Sequence, residues 1–341
     1  MALNNPLILG IESSCDDTGV AILRGRKVVS NVTSVQLIHA QHGGVVPELA
    51  GRAHMEHIAE VVQEAVRRAA IRLDELDAIA FTQGPGLQVS LVVGTSFAKG
   101  LALALQKPLI AVHHMKAHIL SHFIEEQGMN APAFPFLCLT VSGGHTQLVV
   151  VNNALSMEII GKTIDDAAGE AFDKAAKMLG FAYPGGPHID QFAAAGNAKA
   201  FAFSKPKIEG LDFSFSGLKT SILYFLRKQV ELDEHFIEQH LADLCASIQG
   251  SITDILMDKL KKAQAQTGIQ HIALSGGVSV NSGLREKIKE WSNERTDLHF
   301  YFTPPKYCTD NAAMIAIAGN FLYHEGVFVD QTVSADARLP W

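Results

Sequence analysis

Six residues, His113-His114-Met115-Lys116-Ala117-His118, carry the densest coordination chemistry in this chain. On a helix, His114 and His118 project from one face, and two imidazoles so spaced can hold one divalent metal. Two ligands leave coordination incomplete, so the pair requires a third donor from a distant part of the chain. With 15 histidines in 341 residues, such a pair also arises by chance. The spacing bears on hydrolysis too. A zincin needs His-Glu-x-x-His, in which the glutamate is the general base. Met115 occupies that position here, so a metalloprotease-like hydrolase competes as a reading but lacks its base.

The elements that must position these histidines follow from hydrophobic pattern. Pro6 to Ile11 and Val20 to Leu23 are short apolar runs around the polar turn Glu12-Ser13-Ser14-Cys15-Asp16-Asp17-Thr18-Gly19, which predicts a hairpin, and Val28 to Val35 adds a third strand. Pro47 to Ala70 has a helical period opened by proline. Leu76 to Phe81 is a buried-type strand running into Thr82-Gln83-Gly84-Pro85-Gly86. Ser90 to Leu105 is a helix, and the strand Leu109 to Val112 delivers the histidines. The second half repeats the order. Phe134 to Val141, the turn Ser142-Gly143-Gly144-His145-Thr146 and Gln147 to Val151 form a hairpin, and a helical, partly acidic insertion from Ile164 to Gly180 follows. A less regular region leads to a long helix, Phe236 to Thr267. Then come the strand Ile272 to Leu274 with Ser275-Gly276-Gly277, a helix from Ser282 to Trp291, the strand His299 to Phe302, and the helix Ala312 to Tyr323.

The repeat predicts an α/β fold of two duplicated βββαβαβα-type lobes. The N-terminal lobe is expected over 1–132 plus 311–341, with a helical insertion at about 36–72. The C-terminal lobe is expected over 133–310, with an insertion at about 162–235. The last strand-to-helix junction carries His114 in the first half and Asp310 in the second, so His114, His118 and Asp310 are expected to meet across an interlobe cleft. Four glycine turns, at Asp17 to Gly19, Gly84 to Gly86, Ser142 to Gly144 and Ser275 to Gly277, expose backbone N–H groups without a Cβ in the way. At matching places in two halves they indicate a nucleotide held between lobes, as in the actin, sugar kinase and Hsp70 ATPase (ASKHA) architecture. A kinase or ATPase of that fold, or a noncatalytic nucleotide-binding scaffold, are further readings.

Composition sets bounds on these alternatives. Hydrophobic residues make up 48% and charged residues 18%, which describes a well-buried globular chain. The four cysteines are scattered without Cys-x-x-Cys, so neither a disulfide framework nor a thiolate zinc site is indicated. No basic segment precedes an apolar stretch at the N-terminus, and no uninterrupted apolar run reaches roughly 18 residues, so a cytoplasmic protein without a spanning helix is expected. A net charge of −7 argues against a broad basic surface for nucleic acid. A nucleic-acid substrate would then rely on local lysines, with Lys174, Lys205, Lys207 and Lys219 as candidates, or on partner subunits.

Six stretches together resemble the TsaD family of bacterial tRNA N6-adenosine threonylcarbamoyltransferases. They are Gly10 to Gly19, Gly43 to Ala50, His113 to His118, Val141 to Thr146, Ile164 to Lys174 and Cys308 to Asn311, and the resemblance runs from about residue 7 to 325. It implies an actin-like ATPase fold and an acyltransferase activity. The threonylcarbamoyl group of threonylcarbamoyl-AMP would pass to N6 of adenosine 37 in tRNAs reading codons that begin with A, forming t6A and releasing AMP. It also implies one divalent metal, Fe2+ or Zn2+, on His114, His118 and Asp310. The adenylate site would be Thr140, Val141, Ser142, Gly143, Gly144, Asp173, Gly186, Asp190 and Asn281, and the protein partners TsaB and the ATPase TsaE. Two departures stand out. The family motif commonly reads His-Met-Glu-Gly-His where this chain has His-Met-Lys-Ala-His, and Ser334 to Trp341 lacks the second arginine of the usual Arg-Pro-Arg-Trp.

Other polar residues carry expectations of their own. Glu12 and Asp16 are candidates for a general base or a polarising carboxylate near the acceptor amine, with a turn-stabilising pair as the alternative. Asp173 and Asp190 suit ribose hydroxyls. Asp165, Asp166 and Glu170 read as favourable charge at a helix start, and Asn281 as an adenine or ribose contact or an N-cap. His145 reads as structural, His54 and His57 as surface residues, and Cys15 as a weak nucleophile without a histidine partner.

Overall fold

The computed structural model describes residues 5–42, 44–206 and 208–341, and the chain divides into two compact units, Met1–Pro132 with Thr303–Trp341 and Ala133–Phe302. The first unit begins with β1 (Leu7–Glu12), β2 (Thr18–Arg24) and β3 (Lys27–Ser34), then α1 (Pro47–Ala69), β4 (Ala78–Gly84), α2 (Gln88–Leu105), β5 (Leu109–His113) and α3 (His114–Leu120). The second unit holds β6 (Phe136–Val141), β7 (Thr146–Val151), β8 (Met157–Lys162), α4 (Ala168–Met178), α5 (Gly186–Ala193), α6 (Ser216–Leu232), α7 (Phe236–Gln239), α8 (Leu241–Thr267), β9 (His271–Ser275), α9 (Ser282–Glu294) and β10 (His299–Phe302). The chain then returns to the first unit with α10 (Ala312–His324).

Each unit is an α/β layer structure on a five-stranded mixed sheet, and the two sheets share one topology. Their orders are β3-β2-β1-β4-β5 and β10-β9-β6-β7-β8, with the first hairpin of each antiparallel and the central strand parallel to the next crossover strand. The duplicated actin-like ATPase arrangement expected from the repeat is therefore present. Strand β1 is buried at all six positions, which suits a strand covered on both faces. Leu7, Leu9 and Ile11 join a core with residues of α1 and α2, while Ile8 and Gly10 on the alternate face meet α10. Ligand sites in such sheets lie beyond the carboxyl ends of the parallel strands, which here are the ends of β1, β4 and β5 and of β6, β9 and β10.

Several expectations shift. Helix α2 is long and apolar enough, by length and composition, to cross a membrane. It packs on α1 and β4 through Ser90, Leu91, Gly94, Thr95, Ala98 and Ala102. The single long helix expected over Phe236 to Thr267 is two, broken at His240, whose ring packs against Phe236 and Phe201. Within the region that looked irregular lie α5 and α6. The division between units falls after Phe302. Residues 303–310 are fastened to the first unit, where Ser121 Oγ lies 3.3 Å from Thr303 Oγ1 and the Tyr307 hydroxyl donates to Glu126 at 2.7 Å. Asp310 thus belongs to the same unit as the histidines.

Candidate active site

Strand β5 ends at His113, which has extended backbone, and α3 starts at the next residue. That abrupt switch places His114 and His118 one turn apart at the sheet's carboxyl edge, both buried, with ring centroids 4.8 Å apart and planes nearly perpendicular. The third donor arrives from the turn ahead of α10. Asn311 caps that helix by accepting from Met314 N at 3.1 Å, and Cys308 Sγ donates to Thr303 O at 3.2 Å. Between these anchors, Asp310 Oδ1 lies 3.1 Å from His118 Nε2 and 3.5 Å from His114 Nε2.

This geometry fits a cation. His114 donates its Nδ1 proton to Glu12 Oε2 at 3.2 Å, leaving a lone pair on Nε2 aimed at the carboxylate. Acceptor facing acceptor is repulsive unless a proton or metal lies between them. One ligand atom from each of His114, His118 and Asp310 falls within 4.8 Å of the others, and the buried His118 Nδ1 has no hydrogen-bond partner among the described residues. Electrostatics agrees. Burial alone would hold His114 neutral, yet Glu12 and Asp310 push it up to about 10. Burial would likewise raise Asp310, but the charge and hydrogen bonds of His114 and His118 hold it well below the usual carboxylate range. Two imidazoles and a carboxylate suit iron or zinc alike.

Glu12 is committed to this centre. It accepts from Ser14 N and from Thr82 Oγ1, both at 2.6 Å, in addition to His114. Burial would raise its carboxyl, and His114 overrides this to keep it below its ordinary value. The neighbouring turn holds Asp16 and Asp17, both half-buried. Sequence reasoning passed over Asp17, whose carboxyl is pushed up to about 7 by burial and by the charges of Asp16 and Asp310. The signal was available as two adjacent acids beside Glu12 in one turn. Burial, with Asp16 next to it, pushes the Cys15 thiol far above its ordinary range, so it is no ready nucleophile. His54 proves to be a core residue. It lies on the buried stripe of α1, where Nε2 donates to Cys15 O at 3.0 Å and Nδ1 accepts from Thr18 Oγ1 at 2.7 Å, tying the acidic turn to that helix. His57 is half-exposed.

The residues matched to the adenylate site all fall in the second unit, and hydrogen bonds and close packing link them. Ser275 Oγ donates to Thr140 Oγ1 at 3.0 Å at the ends of β9 and β6. The Ser142 to Gly144 turn is closed by Ser142 N donating to His145 O at 2.8 Å. A Cβ on Gly169 would lie 2.5 Å from Ser142 O, and one on Gly276 only 2.3 Å from Val141 O, so glycine at both positions lets the α4 start and the β9 turn close on this loop. At Gly143 and Gly144 an added Cβ meets nothing, and both residues are exposed. Asp173 Oδ1 accepts from Gly185 N at 2.8 Å and Gly186 N at 3.2 Å, and burial raises its carboxyl despite those bonds. Asp190 accepts from Ser282 Oγ at 2.6 Å and Asn281 Nδ2 at 3.2 Å, while Asn281 caps α9 through Leu284 N.

The remaining charges have local partners. Asp165 accepts from Phe215 N at 2.8 Å and Ser216 Oγ at 2.7 Å, so it serves the start of α6 rather than α4. Lys174 pairs with Asp166 and Glu170, Lys219 with Asp166, and Lys205 with Asp254. Each of these lysines is thus paired with a carboxylate; Lys207 lies outside the described residues.

The model of the family described as TsaD, tRNA N6-adenosine threonylcarbamoyltransferase, matches residues 27–317. The tRNA N6-adenosine threonylcarbamoyltransferase of Riemerella anatipestifer is 53% identical over 336 residues, covering 98% of each chain. The protein of that name from Christiangramia forsetii is 54% identical over 331 residues, covering 97% of each chain, and the one from Syntrophotalea carbinolica is 46% identical over 341 residues, covering 98% of this chain and 96% of its own. Among solved structures, full-length HypF in its phosphate- and nucleotide-bound form aligns with a TM-score of 0.60 at 14% identity, over 95% of this chain and 47% of HypF. The activator of 2-hydroxyisocaproyl-CoA dehydratase from Clostridium difficile, with bound ADPNP, aligns with a TM-score of 0.50 at 13% identity, over 94% and 96% of the two chains. These two likenesses speak for the fold alone. The chain belongs to the TsaD family of tRNA N6-adenosine threonylcarbamoyltransferases.

Proposed function

We propose that this transferase moves the threonylcarbamoyl group of threonylcarbamoyl-AMP to N6 of adenosine 37 in tRNAs reading codons that begin with A, giving t6A and AMP. The observation that carries the reading is the convergence of His114 Nε2 and His118 Nε2 on Asp310 Oδ1 in a chain of this family. Iron or zinc held by His114, His118 and Asp310 would supply Lewis-acid polarisation of a substrate oxygen. Glu12 keeps His114 in the tautomer and orientation that ligation needs.

The substrate is a mixed anhydride, so the reaction needs a held electrophile and stabilised oxygen charge. The exposed backbone of Gly143 and Gly144 can approach a phosphate without steric conflict. Asp173 uses Oδ1 for its own turn and can present Oδ2 to a ribose hydroxyl, and Asp190, joined to Asn281, offers a second carboxylate. The N6 nitrogen bonds to the carbamoyl carbon, the bond from that carbon to the phosphate oxygen breaks, and AMP leaves with the electron pair. The N6 proton passes to Asp16 or Asp17, since Glu12 is engaged by three donors. Adenosine 37 is unpaired in the anticodon loop, which lowers the cost of presenting it. The net charge of −7 supports a reading in which partners, with TsaB and TsaE as the expected ones, carry much of the phosphate contact.

The test is reconstitution from tRNA, threonine, bicarbonate and ATP with the upstream synthase and both partners, scored as modified adenosine. The wild-type chain is expected to form t6A, and His118→Ala to fall by about a thousandfold or more. Peptide cleavage without tRNA modification would overturn the reading.

A further inference from the structure

Trp341 lies against the outer side of the segment that carries the two histidines. The Lys116 ammonium lies 5.3 Å from the centroid of the Trp341 ring, and the His113 imidazole meets the same indole edge-on at 5.4 Å. The segment that ends in Trp341 reaches this point along a fixed path. Gln83 Nε2 donates to Ser334 O at 3.1 Å, Asp336 N to Gln83 O at 2.9 Å, Gly86 N to Ala337 O at 3.3 Å, and Ala337 N to Gln88 Oε1 at 3.1 Å. A Cβ on Gly84 would sit 1.9 Å from Asp336 O, so glycine at the end of β4 is what lets the segment lie against the strand. The turn it covers also carries Leu87 N, which donates to Ser14 O at 2.7 Å in the acidic loop.

Helix α3 needs such support. It has seven residues, far fewer than a helix requires to persist alone, and no side chain caps its start. Its inner face carries His114 and His118, and Lys116 projects from the opposite side, where Trp341 lies. We propose that Trp341 is a positioning residue for the transfer reaction. Residues 334–341 form a strap, anchored on the end of β4 and the start of α2, that fixes α3 through the contacts of Trp341 with Lys116 and His113. The strap sets the rotation of α3 and thereby the convergence of the two imidazoles on Asp310. The reactive geometry depends on a segment that touches none of the three ligands.

The inference rests on the metal-site reading for its consequence, and the experiment separates the two. Hydrogen exchange at the α3 amides is measured in the full chain, with and without chelator, alongside zinc affinity by competition with a chromophoric chelator. Trp341→Ala is expected to speed α3 exchange at least tenfold and to weaken zinc about tenfold, with second-unit amides unmoved and Trp341→Phe restoring most of both. Wild-type exchange at α3 in Trp341→Ala overturns the strap. If the wild-type chain holds neither zinc nor iron, the metal reading fails while exchange still decides the strap. Should Trp341→Ala not fold, Lys116→Met decides instead. Exchange faster by about threefold supports the cation–π contact, and unchanged exchange overturns it.

Discussion

The turns Glu12–Gly19 and Val141–Thr146 occupy the same place in the two sheets, closing the hairpins β1–β2 and β6–β7. Their chemistries are opposite. The first packs carboxylates beside imidazoles and buries Glu12 completely among donors. The second is Ser-Gly-Gly, with no charge of its own and exposed glycines around which a side chain would find open space. One turn is equipped to concentrate negative field for a cation, the other to bring backbone N–H groups to an anion. A duplicated fold thus divides labour by what sits beyond the strand ends and leaves the strands alike.

Asp310→Asn breaks the first half of that division and should have the largest effect. It keeps the shape but removes the charge on which both imidazoles converge, so kcat/KM should fall by about a thousandfold or more and retained metal should be lost. If the division is sound, binding of AMP to the second unit, read by calorimetry, stays within about twofold of wild type. Loss of AMP binding together with the metal would show that the two turns do not act separately.

A pair of glycine substitutions sharpens the second half. Gly169→Ala drives a methyl to 2.5 Å from Ser142 O and should cost about 2–3 kcal/mol of stability, because backbone must shift. Gly143→Ala projects into open space and should change stability by no more than about 0.5 kcal/mol while raising KM for the adenylate severalfold. Urea melts and steady-state kinetics on the two variants suffice. Equal destabilisation would mean that Gly143 serves packing rather than access.

How much of this was visible in the residues follows from the same contrast. Periodicity showed the repeat because strands such as Leu7–Glu12 and Phe136–Val141 are buried at every position and apolar at nearly all of them. The ligand pair was legible because α3 puts His114 and His118 one turn apart, and the repeat supplied Asp310 from the matching junction of the second half. The unit to which Asp310 belongs was not legible, since it depends on how residues 303–310 fasten to Ser121 and Glu126 far back in the chain. His54 was misread for a related reason. A histidine on an amphipathic helix looks solvated until Cys15 O and Thr18 Oγ1 arrive from another element to satisfy it. The carboxylate partners of Lys174, Lys205 and Lys219, Asp166 and Asp254, were likewise hidden in the sequence, because folding sets them.

The acidic turn should also show a pH dependence of its own. Asp17 has a carboxyl at about 7, raised from 3.8 by burial and by Asp16 and Asp310. For an acid this sign means that the folded state holds the proton longer than the unfolded chain does. The penalty is absent below about pH 3.8, grows as pH rises through the window, and is constant above pH 7. Asparagine at this position never ionises, so Asp17→Asn should match wild type in acid and gain stability as pH climbs. The full shift corresponds to about 4 kcal/mol, and screening in a half-exposed turn should leave about 2 kcal/mol above pH 7. Chemical denaturation of the chelated protein from pH 4 to 8 measures it. A stability difference that stays flat across that range would mean the turn does not concentrate negative field. The contrast with the uncharged Ser142–Gly144 turn would then reduce to the histidines and Asp310 alone.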